Sequence, residues 1–357
     1  MGSGRANTVL VNRATPGSAD YALGTLSLGA STLAFNTGPQ ISGAHTGLVR
    51  LAALDLSAGN NNQPVVLTGN ATLAIGSAAI LSNNSLSKRL QLDGTALANT
   101  LGPVSNGPGT GILSLIKAGL GRWTLTGDNT YTGTTTITQG ELALATPTLP
   151  DAANVSITNG ATLHLAFTGT DFIGSLTLGG TPATPGTWGS LTSTAPNRTT
   201  HLTGPGTVTI LPAAYATWAN THALGTVPTQ RAPLADPDAD GLPNVLEFAL
   251  GSSPSSPSSA NLSSQVSGLS PQVSSFTFTF PRSPASLGLV PLTVEWSPDL
   301  VTWNSLPIGA ANSGPDARGI TVAIAAQSAA PDVVTVTFPA SLSPGGRLFT
   351  RLRATSF

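Results

Sequence analysis

Between residue 1 and about residue 211 one short pattern returns at irregular intervals: an apolar residue, Thr, at most one further residue, Gly, then Leu alternating with small or polar side chains. It reads Leu67-Thr68-Gly69-Asn70-Ala71-Thr72-Leu73-Ala74-Ile75, then Ile137-Thr138-Gln139-Gly140-Glu141-Leu142-Ala143-Leu144, then Ile157-Thr158-Asn159-Gly160-Ala161-Thr162-Leu163-His164-Leu165, with shorter echoes at 24–28 and 174–178. Alternation of apolar with polar or small side chains is the period-2 signature of a strand with one buried face. So short a strand cannot bury that face by itself. Stacked copies can, because Leu lies on Leu and Ile on Ile while the backbones pair in parallel, so each coil is stable only against its neighbours. Three alternating segments at 123–126, 133–138 and 141–144 suit one coil, and the turns between them are too varied for regular two-residue hairpins. The expected fold is mainly β, with a right-handed parallel β-helix over residues 1–211. An antiparallel sandwich is the competing fold and would require steadier strand lengths and clearer hairpin turns.

Composition agrees with many short strands. Charged residues make up 8% of the chain against 40% apolar, which argues against disorder, and 40 glycines and 28 prolines supply tight turns. A net charge of -1 gives no reason to expect nucleic acid as a partner. With no cysteine there are no disulfides, no thiolate chemistry and no cysteine metal sites, so packing and backbone ladders must hold the fold. Residues 1–20 lack the apolar run of a signal peptide, and no stretch of eighteen apolar residues suggests a transmembrane segment.

Four of the 15 acidic residues fall in one window, Asp236-Pro237-Asp238-Ala239-Asp240-Gly241-Leu242-Pro243-Asn244-Val245-Leu246-Glu247. It matches the calcium loop of an EF-hand, with carboxylates at positions 1, 3 and 5, glycine at 6, a polar side chain at 9 and glutamate at 12. Carboxylates crowded this closely disfavour one another's ionisation unless a hard cation sits among them. The expected metal ligands are Asp236, Asp238, Asp240, the Leu242 carbonyl, Asn244 (directly or through water) and Glu247, and the expected cofactor is Ca2+. Magnesium would keep more of its own waters, and zinc is disfavoured because the loop holds neither Cys nor His. An unoccupied Asp/Gly/Pro turn before a short helix is the plain alternative.

Pro243 suits the first turn of a helix, and Val245, Leu246, Phe248 and Leu250 supply its apolar face. Residues 213–223 form the best upstream helix, with Tyr215, Trp218 and His222 spaced to cover the second. Pro243 at position 8 cannot donate the bridge that pairs two hands, and no second loop of this kind occurs in the sequence. Residues 252–270 hold ten serines and read as a linker. Strand-like alternation resumes at 276–280, 292–296, 320–324, 333–338 and 348–353, which suggests a small β-sandwich. The expected division is a β-helix repeat domain at 1–211, a helical EF-hand-like calcium hand at 212–251, the linker at 252–270 and a β-sandwich at 271–357.

Residues 117–142 (KAGLGRWTLTGDNTYTGTTTITQGEL) resemble the autotransporter-associated β-strand repeat, whose pattern runs K-x-G-x-G-x-W/L-x-L-x-G-x-N-x-Y-x-G-x-T-x-I-x-x-G-x-L. Residues 172–210, with Gly186-Thr187-Trp188-Gly189 and Gly204-Pro205-Gly206-Thr207-Val208, are similar to the segment that closes such repeats in large secreted bacterial proteins. These likenesses imply an exported, secreted or cell-surface β-helical passenger. Only one full-length repeat is clear, and no translocator barrel follows it. The acidic loop is similar to the solitary hands of dockerins and thrombospondin repeats, which implies a static clip binding calcium weakly, on the order of 0.1 to 1 mM. The tail from that loop through residues 297–303 (SPDLVTW) to Arg351-Leu352-Arg353 is similar to C-terminal regions of secreted proteins from Verrucomicrobia-like bacteria.

Catalytic constellations are weak. The seven acids of residues 1–211 (Asp20, Asp55, Asp93, Asp128, Glu141, Asp151, Asp171) are well separated in sequence; stacking could align Asp128, Asp151 and Asp171, against their reading as solvated turn positions. The four histidines show no ligand spacing, and alternation turns His164 outward. No phosphate-binding glycine motif is present. Arg347, Arg351 and Arg353 alternate on one strand and read as an exposed face guarding a sheet edge. The expected function is non-enzymatic: a secreted or cell-surface repeat protein with a structural or adhesive role, its partners unknown, surface glycans or other surface proteins among the candidates. The alternative is a glycan-active module, either lyase-like in the β-helix or a C-terminal sugar binder using Trp296 or Trp303.

Overall fold

The structure, a computed structural model, describes residues 6–41, 45–59, 62, 64–83, 85–222, 224, 228–257, 263–267, 275–326, 331–343 and 345–357. Met1–Leu211 and Pro212–Phe357 form two compact units. Among the described residues no helix is long and apolar enough to cross a membrane.

The first four strands set the rule for the first unit. β1 (Ala6–Val11) and β2 (Ala19–Ser27) are followed by β3 (Ser31–Thr37) and β4 (Gly47–Asp55), and β1 pairs in parallel with β3 while β2 pairs in parallel with β4. The chain goes on alternating between the two sheets. Strands 64–69, 88–92, 113–117, 135–137, 154–157 and 175–178 extend one sheet beyond β3, and 72–75, 99–101, 122–125, 141–144, 162–165 and 202–203 extend the other beyond β4. The parallel ladders are consistent with a β-helix and exclude the antiparallel sandwich for this unit. Register stacks like on like, as the alternation requires: Leu90 pairs with Leu115, Leu101 with Leu125, Leu142 with Leu163 and Leu144 with Leu165, all buried.

One corner of the stack is built of left-handed glycines. Gly69, Gly94, Gly119 and Gly140 have φ of 116°, 91°, 68° and 66°. A Cβ on Gly94 would overlap the Gly69 carbonyl, one on Gly119 would stand 2.6 Å from the Gly94 carbonyl oxygen, and one on Gly140 would overlap the Gly119 carbonyl. Each repeat glycine is therefore needed twice, for its φ and for the close approach of the next coil. Thr181–Pro182 pair antiparallel with residues 177–178 at the end of one sheet, and 170–173, 207–210, 186–189 and 197–198 form a separate four-stranded sheet.

Among the described residues the second unit opens with three helices, α1 (Ala213–Thr221), α2 (Pro228–Arg231) and α3 (Asn244–Leu250). Tyr215 and Trp218 of α1 lie 5.4 and 5.6 Å from the Phe248 ring of α3, the contact that their spacing foretells. Two antiparallel sheets follow: 263–267, 275–282, 332–339 and 321–325 in one, and 304–308, 292–297 and 349–354 in the other. Trp296 and Phe338 join them at 5.9 Å, and a buried ion pair of 3.0 Å links Arg282 to Asp332.

Two segments differ from the sequence reading. Ser263–Ser267, inside the expected linker, is a strand paired antiparallel with Ser275–Thr279, because a sheet edge supplies hydrogen bonds that a serine-rich segment accepts without a core of its own. The other parts of that linker at 258–262 and 268–270 lie outside the described residues. Asn304–Ile308 is a strand whose apolar alternation is too weak to announce it.

Candidate metal centre

The acidic loop folds so that its backbone turns inward on its own carboxylates. Gly241 N–H donates to Asp236 Oδ2 (2.9 Å), Asp240 N–H to Asp238 Oδ1 (3.3 Å) and Leu242 N–H to Asp240 Oδ1 (2.8 Å). Ala239 and Gly241 take φ of 59° and 90°, the left-handed conformations that let so short a loop reverse. The base is tied by Asn244 N–H to the Ala235 carbonyl and Val245 N–H to the Pro233 carbonyl, both 2.8 Å.

Asp236, Asp238 and Asp240 each bring a carboxylate oxygen within 4.8 Å of the others. Glu247, on the first turn of α3, is fully buried, and its Oε2 has no hydrogen-bond partner, nor has Asp238 Oδ2. Burial first, then the charges of Asp238 and Asp240, hold the Glu247 carboxyl up at about 7. A buried carboxylate facing three acids is unfavourable as it stands, and a divalent cation would answer both the charge and the orphaned oxygens. The donor set is all oxygen, as calcium prefers.

The remaining expected ligands sit differently. Asn244 is buried and its amide nitrogen donates to the Gln230 and Ala232 carbonyls (2.7 and 2.9 Å), anchoring α3 to α2, while its Oδ1 has no hydrogen-bond partner. Leu242 is half-buried, and its amide is committed to Asp240. Pro243 immediately precedes α3, its carbonyl accepting from Leu246 and Glu247. An EF-hand runs its first helix straight into the loop; here α1 ends at Thr221, and the short α2 intervenes before Asp236.

The repeat signature at 117–142 resolves into contacts that build coils. Lys117 is fully buried, and its ammonium donates to the Gly119 carbonyl (2.8 Å) and, one coil on, to that of Gln139 (3.1 Å). Burial lowers it to about 8 against the opposing pull of Asp93 and Glu141. Trp123 donates from Nε1 to the Asp93 carbonyl of the preceding coil (3.0 Å). Asn129 joins three coils, accepting from Val104 N–H (3.0 Å) and donating to the Thr148 carbonyl (2.9 Å). Tyr131 is buried, its hydroxyl 2.5 Å from Thr135 Oγ1. Lys88 repeats the lysine's role on the preceding strand of the same sheet, donating to the Ala58 and Gly59 carbonyls (2.7 and 3.1 Å). Composition marks the two lysines only as scarce; alternation in Lys88-Arg89-Leu90-Gln91-Leu92 and Leu113-Ser114-Leu115-Ile116-Lys117 already turns both inward.

Residues 115–144 match the family model of the passenger-associated-transport-repeat. The match covers little more than one coil and supports an autotransporter-passenger repeat there. No curated protein matches the chain, and no solved structure does.

Elsewhere the structure brings two acids together. Asp151 and Asp171 are buried rather than solvated, whereas Asp128 is exposed. Asp171 Oδ2 accepts from Leu149 N–H (3.0 Å) while Oδ1 has no hydrogen-bond partner, and burial, reinforced by the Asp151 charge, pushes its carboxyl up to about 7. His164 faces outward, bonded to Thr203 (2.9 Å). Trp296 is buried, and the Arg351 guanidinium lies 4.0 Å from the Trp303 ring, so neither indole is an open platform. Arg351 and Arg353 both reach Glu295 from an edge strand. A shallow groove of about 450 Å³ runs along the glycine corner past Asn36, Asn70, Asp93, Thr95 and Gln139, with no aromatic residue in its lining.

Proposed function

We propose that this chain is a non-enzymatic, secreted or cell-surface passenger-type protein with a structural or adhesive role. Its first unit is a right-handed β-helix, and its second is a calcium-clipped hand on a small β-sandwich. The observation that carries this reading is the use to which the repeat signature is put. Lys117, Trp123, Asn129 and Tyr131 are all buried and all spent on bonds within or between coils, and the signature glycines make room for neighbouring backbone. A segment so fully committed to stacking is scaffold, and the surface it presents is low in charge and rich in Thr and Asn.

Calcium belongs to the proposal through the acidic loop. Asp236, Asp238, Asp240 and Glu247 would hold it, with the Leu242 carbonyl and Asn244 completing the shell, and its work would be to neutralise the loop and fix α3 beneath it. Taking a dissociation constant of 0.1 to 1 mM, 10 mM calcium should stabilise the second unit by about 1.4 to 2.7 kcal/mol. Thermal melts in calcium and in EDTA measure this. Asp240→Ala should melt alike in both and near the wild type in EDTA; a wild type indifferent to EDTA would defeat the calcium assignment and leave the scaffold reading in place.

A further inference from the structure

Asparagine is followed by glycine twice in the chain, at Asn106-Gly107 and at Asn159-Gly160. In such a pair no side chain on the second residue shields its amide nitrogen from the asparagine side chain. The fold treats the two pairs differently. Asn106 is pinned, its Oδ1 accepting from Leu113 N–H (2.9 Å) and Thr132 N–H (3.1 Å) while its Nδ2 donates to Thr132 Oγ1 (2.8 Å). Gly107 lies so close to the neighbouring coil that a Cβ there would overlap the Ile80 carbonyl. That backbone has no room to move.

Asn159 and Gly160 are both exposed, in the turn that joins strand 154–157 to strand 162–165 and is closed by Ala161 N–H donating to the Thr158 carbonyl (3.1 Å). Among the described residues the Gly160 N–H has no hydrogen-bond partner, and no heavy atom lies within 4 Å of where its Cβ would stand. The Asn159 side chain makes a hydrogen bond through Oδ1, to His201 Nε2 at 3.2 Å. An amide oxygen only accepts, so Nε2 carries the ring proton and Nδ1 is left to accept from Thr199 Oγ1, 3.0 Å away. That hydroxyl in turn accepts from the His201 backbone N–H (3.2 Å), which fixes the ring's support. A donor is thus aimed at the oxygen on which negative charge would gather if Gly160 N attacked Asn159 Cγ.

We propose that Asn159 is a self-modifying site. Gly160 N gives up its proton to solvent base and bonds to Asn159 Cγ, the Cγ–Nδ2 bond breaks, and Nδ2 leaves as ammonia. The His201 Nε2–H steadies the carbonyl oxygen meanwhile. Water then opens the cyclic imide at either carbonyl, to aspartate or to isoaspartate, so the net change is water consumed and ammonia released. Both products put a negative charge beside His201. Isoaspartate also runs the main chain through the former side chain, which lengthens by one carbon a turn on which the facing of strand 162–165 depends.

Peptide mass spectrometry of the folded full chain, sampled over days at neutral and at mildly alkaline pH, tests this. The peptide carrying Asn159 should gain about one mass unit and divide into aspartate and isoaspartate forms, faster at the higher pH. The peptide carrying Asn106 should react only when the chain is unfolded in urea. His201→Ala should slow the change at Asn159 about tenfold or more, through loss of a hydrogen bond to a charged oxygen, with Asn106 still intact as the sign that the coils hold. A folded wild type in which Asn159 keeps its amide, or in which Asn106 reacts as fast, would overturn the proposal without recourse to any variant. A His201→Ala chain that reacts at the wild-type rate or faster would overturn it as well, since the imidazole would then restrain the amide and not activate it.

Discussion

Replacing Gly119 by alanine tests the stacked corner on which the first unit depends. Gly119 has φ of 68°, and holding a residue with a side chain in that region costs about 1 to 2 kcal/mol. The new Cβ would also overlap Asp93 Oδ1 and stand 2.6 and 2.7 Å from the Gly94 carbonyl oxygen and amide nitrogen. The aspartate can swing aside. Gly94 cannot, because its carbonyl already accepts from Gly121 N–H at 2.9 Å and moving it pulls on that inter-coil bond. Overpacking against fixed backbone costs about 1 to 3 kcal/mol more, so the total is about 2 to 5 kcal/mol, a large part of the roughly 5 to 15 kcal/mol that holds a domain folded. Gly160→Ala is the control: φ there is 85°, and no heavy atom lies within 4 Å of the added Cβ. It should lose the backbone cost alone. Urea unfolding followed by circular dichroism should place Gly119→Ala about 1 to 3 kcal/mol below Gly160→Ala. Equal losses would mean that the coils do not approach at this corner, and the stacking argument would fail.

Two further measurements probe buried charge. Lys117→Met leaves the Ala118, Gly119 and Gln139 carbonyls without their ammonium donor and should lower stability by about 2 to 4 kcal/mol at pH 7. Because the folded lysine titrates near 8 and the unfolded one near 10.5, the unfolded state binds more protons between those values, so wild-type stability should rise with pH across that window, and the methionine variant should lack the rise. For Asp171 the sign is reversed. Its folded value of about 7 stands above the ordinary aspartate value of 3.8, so its contribution is complete below pH 3.8 and is lost as pH climbs through 7. Asp171→Asn should remove a fall on the order of 2 to 4 kcal/mol between pH 4 and 8, read as urea midpoints in EDTA; parallel curves for variant and wild type would show that the carboxyl is not held protonated.

Much of the first unit was legible because parallel stacking leaves a local trace. Alternation in Thr162-Leu163-His164-Leu165 gives the inward face, and Gly69, Gly94, Gly119 and Gly140, each shortly before a strand, give the corner. The acid pair was half legible: the spacing of Asp151 and Asp171 allowed stacking to align them, but not their burial, since Leu149 N–H reaches Asp171 on the strand at 170–173 only in the fold. The buried lysines went unread for another reason. Lysine is rarely buried, and only the fold supplies the turn carbonyls at the coil corner that make a site an ammonium fills. The loop at 236–247 was legible residue by residue, while the short helix α2 ahead of it was not, since four residues are too few to show a helical period.

By itself the sequence determined the strand period, the glycine positions and the density of acids around Asp238, all of them properties of neighbours along the chain. Tertiary structure alone decided which strands pair. Leu33 finds Leu67, Leu90 finds Leu115, and Leu115 finds Thr135, steps of unequal length. The physical reason is that closing a longer loop between coils costs little extra entropy, so the chain can vary each turn freely, and register is settled only when one buried row meets the next.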